Sequence, residues 1–303
     1  MRQFPDLSNW FDISEYYEHN KCRTITLLWK SNLGEDEVQC FVLQFAKLIC
    51  RLRCNGELFL EDDGEDLCCK FQQAIDNTVT LEEKEKKYLA DYIFFDGMVS
   101  QTKYDKTNNY IDSLDRDLFN GYFGEVLFYI VREQHLEDEK IMIEPSCPKT
   151  NSKQSGLDYV EIRKNVGGFY FIIGEVKTTE NTIGNYPDKI IDSLKKRPLH
   201  LMHQQINAFK ERSKFGGQED LKNFINRMPI YFMSKNHTEH KRFAGVINYG
   251  RNSNPSRTVF NNFQTECLSH LYDSPECRRV KLIGIDEIEN IKERVLEVIW
   301  KNL

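Results

Sequence analysis

Residues 156–179 read GLDYVEIRKNVGGFYFIIGEVKTT. Two apolar runs in this stretch, Leu157 to Ile162 and Phe169 to Lys177, have the composition of strands. Between them Asn165-Val166-Gly167-Gly168 supplies turn residues, so the pair is predicted to form a β-hairpin. Side chains alternate along a strand, which puts Glu175 and Lys177 on one face with Phe171 and Ile173. Asp158 shares a face with Val160 and Ile162 by the same rule. The hairpin can thus bring two carboxylates and an ammonium together beside an apolar core. Burying such a cluster is costly unless something compensates it, and a divalent cation would do so.

Upstream, Arg116 to about Glu133 is predicted to form a strongly apolar helix carrying Glu125, and Ile141 to Glu144 a short strand closed by Pro145 and Pro148. Downstream, Asp188 to Lys196 and Pro198 to Lys214 read as helices. Pro229 to Met233, Phe243 to Tyr249 and Arg279 to Ile285 read as strands, and Glu287 to Trp300 as a closing helix. The first hundred residues look distinct. Arg23 to Trp29 reads as a strand and Glu35 to Arg53 as a helix, whose stripe is Val38, Phe41, Val42, Phe45, Leu48, Ile49 and Leu52. An acidic patch from Glu57 to Asp66 and a helix from Leu81 to Phe95 follow. The polar stretch Tyr104 to Asp117, with Asn108-Asn109, suits a loop or boundary. These elements predict an α/β chain with a mixed central sheet flanked by helices. Residues 1–100 would form an N-terminal α+β accessory or partner-binding region, and 101–303 the catalytic domain.

The chain has 303 residues, room for a sizeable core. Nothing in it is apolar enough for long enough to span a bilayer, and the first residues lack a secretory pattern, so a membrane role is not expected. Nine cysteines, an odd count without framework spacing, fit a reduced, cytoplasmic protein. His200/His203, His237/His240 and Cys267/His270 have ligand-like short spacings, but none pairs with a second clear half-site. Cys68-Cys69 are adjacent and cannot chelate as Cys-x-x-Cys does, so structural zinc is not expected. A net charge of −6 argues against a simple high-affinity nucleic-acid binder, though not against a nucleic-acid enzyme. Basic residues cluster locally, at Lys189, Lys195, Lys196, Arg197, Lys210, Arg212 and Lys214, and again at Lys235, Lys241, Arg242, Arg251 and Arg257. Either set could track a phosphate backbone.

Phosphodiester hydrolysis needs a deprotonated water, an offset for the charge on phosphorus, and a proton or metal for the leaving oxygen. Mg²⁺ or Mn²⁺ held by carboxylates can supply much of this. Asp158 and Glu175 would be ligands, with the Val176 carbonyl, and Lys177 would meet the attacking water or a phosphate oxygen. The pattern Gly156-Leu157-Asp158, then Gly174-Glu175-Val176-Lys177, resembles the PD-(D/E)xK nuclease superfamily. That resemblance implies a further acid on a helix before the first core strand, a position that Glu125 occupies. It also implies a glutamine on a later helix. Gln205-Ile206-Asn207-Ala208-Phe209 is similar, with Phe209 where those relatives carry tyrosine.

The combination of GYFGEVLFYIV, SGLDYVEI and GEVKTT resembles the HamA nuclease subunits of Hachiman anti-phage defence. The resemblance implies a metal-dependent nuclease, acting on DNA in preference to RNA, that works with a helicase partner, HamB. Two other readings remain open at this level. One is a stand-alone restriction-type endonuclease; the other is a nuclease-like fold that binds a partner without catalysis.

Overall fold

The computed structural model describes residues 4–17, 23–54, 66–96, 98–134, 140–143, 158–196, 207, 219–234, 236–250 and 279–303. In chain order the main elements are β1 (Phe11–Tyr17), β2 (Arg23–Trp29), α1 (Glu35–Arg53), α2 (Leu67–Ile75), α3 (Glu83–Tyr88), α4 (Gln101–Thr107) and α5 (Arg116–Gln134). Then come β3 (Lys140–Ile143), β4 (Tyr159–Asn165), β5 (Gly168–Thr179), α6 (Tyr186–Lys196), α7 (Glu219–Met233), β6 (Lys241–Tyr249), β7 (Arg279–Gly284) and α8 (Ile288–Lys301). The strands make one seven-stranded sheet in the order β1-β2-β7-β6-β5-β4-β3. Neighbours among β2, β7, β6 and β5 run parallel, while β1 and the β4–β3 pair are antiparallel additions at the two ends.

Strands in the parallel centre of a sheet are covered on both faces and read as continuous apolar runs. β6 is buried at every position, and β5 from Tyr170 through Val176. Alternation sorts the β5 side chains into two cores. Tyr170, Ile172 and Val176 pack with residues of α1, α5 and α8. Phe171 and Ile173 pack with residues of α6 and α7 on the other face. The predicted hairpin is present: Asn165 pairs with Gly168, and Asn165 Oδ1 accepts the Gly167 N–H at 2.8 Å. Gly168 has φ 113°, a conformation that side chains rarely adopt, which is why this turn ends in glycine. The α1 limits also agree with the sequence pattern. Its first turn holds Glu35, Asp36 and Glu37 and its last turn Arg51 and Arg53, which complements the helix dipole.

Several expectations are corrected. Pro229 to Met233 is not a strand but the last stretch of α7. Its buried residues Leu221, Phe224, Ile225, Met228 and Tyr231 follow helical spacing, so the core stripe outweighs the strand preference of Ile-Tyr-Phe. The polar boundary stretch begins inside α4, which ends at Asn108 in the left-handed region (φ 50°). Strand β1 was not anticipated. Leu81 to Phe95 is helical only from Glu83 and widens to a π-helix over Leu89–Phe94. The expected helix at Pro198 to Lys214 falls outside the described residues except for Asn207, and so does the acidic patch except for Asp66. Two cations of the second basic stretch are withdrawn into the fold. Lys241 is fully buried, its Nζ donating to the Ser234 carbonyl at 2.8 Å, and the Arg242 guanidinium lies over the Tyr170 ring. No described helix is long and apolar enough to cross a membrane.

Helix α5 approaches the sheet closely through Gly124. A Cβ built there would lie 2.1 Å from Thr178 Oγ1 and 2.7 Å from Asn248 Nδ2. Asn248 Nδ2 also donates to Thr178 Oγ1 at 3.3 Å, so a methyl group would break that bond or push α5 outward. Gly124→Ala is therefore expected to cost about 1–3 kcal/mol, the usual penalty for overpacking. Thermal unfolding would read this as a melting temperature several degrees lower, and an unchanged value would show that the contact is soft.

Candidate functional site

The register of the hairpin opens a cleft. Tyr159, the first residue of β4, pairs with Gly174, so β5 continues past the start of its neighbour. Residues beyond Gly174 on that edge have no β4 partner. Asp158, just before β4, turns its carboxylate into this space and accepts the Val176 N–H at 2.8 Å. In an extended strand the N–H and C=O of one residue point to the same edge. The Val176 carbonyl therefore faces the same opening as the Asp158 carboxylate.

A cleft of about 510 Å³ lies here, and its walls include Glu125, Asp158, Val176, Lys177, Glu180 and Lys292. Glu125 comes from α5, held at this distance by the Gly124 contact one residue earlier. On the far rim, a Cβ at Gly250 would lie 1.9 Å from the Glu180 carbonyl oxygen, and Gly250 N–H donates to the Asn181 carbonyl at 3.1 Å. The turn after β6 is thus seated on the end of β5, and only glycine fits there. Glu175 does not line the cleft. It has no exposed surface, and its Oε2 accepts from Lys177 Nζ at 3.0 Å. Lys177 stands between the buried acid and the opening, about 29% exposed.

Of the sequence-predicted site residues, Glu125, Asp158, Val176 and Lys177 share one cleft, Glu175 sits behind Lys177, and Gln205 lies outside the described residues. The donor set suits a hard divalent ion: carboxylates and a backbone carbonyl, without thiol or imidazole. Among the described residues, however, these carboxylates do not form a group with ligand atoms within 4.8 Å of one another. Lys177 supplies a positive charge against Glu175. Glu161 is buried and ion-paired with Arg163 at 2.5 Å. Glu180, just past the end of β5, is about half exposed and lines the cleft.

Lys292 was missed. It is about 2% exposed and comes from α8, whose buried stripe is Ile288, Ile291, Lys292, Val295, Leu296 and Ile299. A lysine inside an otherwise apolar stripe is the signal that could have revealed it. Its Nζ donates to Asn120 of α5, pairs with Glu289 and lies 3.9 Å from Glu180 Oε1. It thereby ties α8, α5 and the end of β5 together at the cleft.

A model of the HamA family matches residues 17–299. No curated protein matches the chain.

Burial lowers Lys292 to about 8, against the raising effect of Glu180, Glu293 and Asp117. An unfolded lysine keeps its proton to about 10.5, so between these values the unfolded chain holds more protons at this side chain. Stability contributed by Lys292 therefore rises with pH from about 8 to 10.5 and is least favourable below 8. Relative to wild type, Lys292→Met should melt highest near neutral pH and lose ground towards about pH 10. A difference in melting temperature that does not change with pH would contradict this.

The match spans both the N-terminal strand β2 and nearly all of α8, with the hairpin and its cleft between them: the chain belongs to the HamA family, a subunit of the Hachiman anti-phage defence system.

Proposed function

We propose that this chain is the nuclease subunit of its Hachiman system, a PD-(D/E)xK-type hydrolase that cuts DNA with Mg²⁺ or Mn²⁺ under the control of the helicase subunit HamB. The observation that carries the reading is the meeting of Asp158 with Glu175-Val176-Lys177 at an open strand edge, where Asp158 Oδ2 accepts the Val176 N–H at 2.8 Å. The order α5, β3, β4, β5, α6, α7, β6 supports it, because it puts an acid-bearing helix ahead of the acid and acid-x-lysine strands.

A divalent ion bound here would acidify a water and offset charge on the scissile phosphate. Asp158 and the Val176 carbonyl would hold it, with Glu125 on another wall of the cleft and Glu175 joining once Lys177 has turned aside. Lys177 has a second task. While it pairs with Glu175 it keeps a buried carboxylate neutralised, and once that role is taken over its ammonium is free to turn to the phosphate. Asp158 meanwhile fixes the backbone at Val176 by accepting its N–H. The partner reading rests on family membership and on charge. A chain of net charge −6 has little means of holding DNA alone, since phosphate neutralisation supplies most non-specific affinity. A helicase would supply that grip, with residues 1–100 as its docking region.

The test is DNA cleavage by the purified chain with Mg²⁺ or Mn²⁺, with and without its helicase subunit. Glu175→Ala and Lys177→Ala should each lower the rate about a hundredfold or more. Full cleavage by either variant would overturn the assignment. Asp158→Asn keeps the shape but removes a charge, so a Mn²⁺ titration should show weaker binding than wild type. Equal titrations would remove Asp158 from the site.

A further inference from the structure

We propose that Cys50, Cys54 and Cys68 form a second metal site, specific for a thiophilic divalent ion of the zinc class and structural in purpose. All three thiols are buried, and their sulfurs lie within 4.8 Å of one another. Cys50 Sγ is 3.9 Å from Cys54 Sγ and 3.9 Å from Cys68 Sγ. Zinc–thiolate bonds of about 2.3 Å in a tetrahedron put neighbouring sulfurs about 3.8 Å apart. Two packed thiols would show the same spacing. Three that converge from two helices, on either side of a polar stretch of sequence, have the arrangement that a metal requires.

Hydrogen-bonding groups frame the cluster. Cys50 and Cys54 stand one turn apart at the end of α1, on one face. Cys68 lies in the first turn of α2, whose N-cap is Asp66: its Oδ1 accepts the Cys68 N–H at 3.0 Å. Gln72 Nε2 points at Cys68 Sγ from 3.4 Å, the N–H to sulfur contact that steadies a metal-bound thiolate. Three thiolates fill three corners of a tetrahedron.

The role follows from α2 itself. It has nine residues, too few to be a stable helix alone. An ion shared between its first turn and the end of α1 would anchor it in the fold. This site is separate in chemistry from the oxygen-lined cleft, so its test does not depend on the nuclease reading.

The experiment measures metal in the full chain purified under reducing conditions without added zinc. About one zinc per chain is expected. Co²⁺ added to the chelator-treated chain should give the intense near-ultraviolet absorption of thiolate-to-cobalt charge transfer. Removing the ion should lower the melting temperature, and Zn²⁺ should restore it. Cys50→Ala or Cys54→Ala should lose the metal, whereas the exposed Cys40→Ser and Cys69→Ser should keep it. If an alanine variant fails to fold, the cobalt spectrum of the wild-type chain still decides. A chain that arrives without zinc and shows no thiolate band with Co²⁺ would overturn the proposal. So would zinc that persists in folded Cys50→Ala and Cys54→Ala.

Discussion

A carboxylate with no solvent exposure sits in the middle of the sheet, and much of the molecule is arranged around it. Glu175 lies in a 12-residue strand bordered on one side by β6 and on the other by the space where β4 stops. An unpartnered charge there would cost several kcal/mol. Lys177, two residues on and on the same face, meets it at 3.0 Å. The local solution needs the open edge, because Lys177 must reach solvent as well as its partner. The same edge admits Asp158. One buried charge thus goes with the register of the hairpin and the start of β4.

Much of this was legible in the sequence because it is local. The hairpin announces itself by two apolar runs around Asn-Val-Gly-Gly, and period-two alternation assigns Glu175 and Lys177 to one face. The limits of α1 follow from a clean helical stripe. Failures came where tertiary context decides. Pro229-Ile-Tyr-Phe-Met reads as a strand by composition, yet Met228 and Tyr231 continue a buried helical stripe begun at Leu221. Lys241 and Arg242 read as surface cations, yet β6 is buried at every position and holds both inside. Gly124 signals nothing until Thr178 and Asn248 are seen against it. Lys292 joins a cleft whose other walls lie more than a hundred residues earlier in the chain, a distance that no local pattern spans.

The two ends of the matched region also meet. Arg294 of α8 donates to Glu35 and Gln39 of α1, both at 2.6 Å, and the Tyr110 ring stacks on Trp300 at 5.3 Å. Helices from opposite ends of the chain therefore cover the same face of the sheet as α5, which carries Glu125. The first hundred residues share in supporting the cleft, since β2 lies beside β7 and α1 packs against the helix that brings Lys292.

Strand β7 is an inserted strand between two pieces of sheet that are made earlier. β1 and β2 form one antiparallel pair, β3 to β6 form another group, and only β7 bonds to both β2 and β6. During synthesis the acid–lysine run is complete long before β7 exists. Until then β2 and β6 each offer a bare strand edge, the kind of surface that recruits stray chains. Closing the sheet means pairing residues very far apart in sequence, which is intrinsically slow. The newly made chain should thus pass through a stage with its chemistry in place and its architecture divided. Maturation would be limited by a single late strand and helped by any chaperone that shields those two edges.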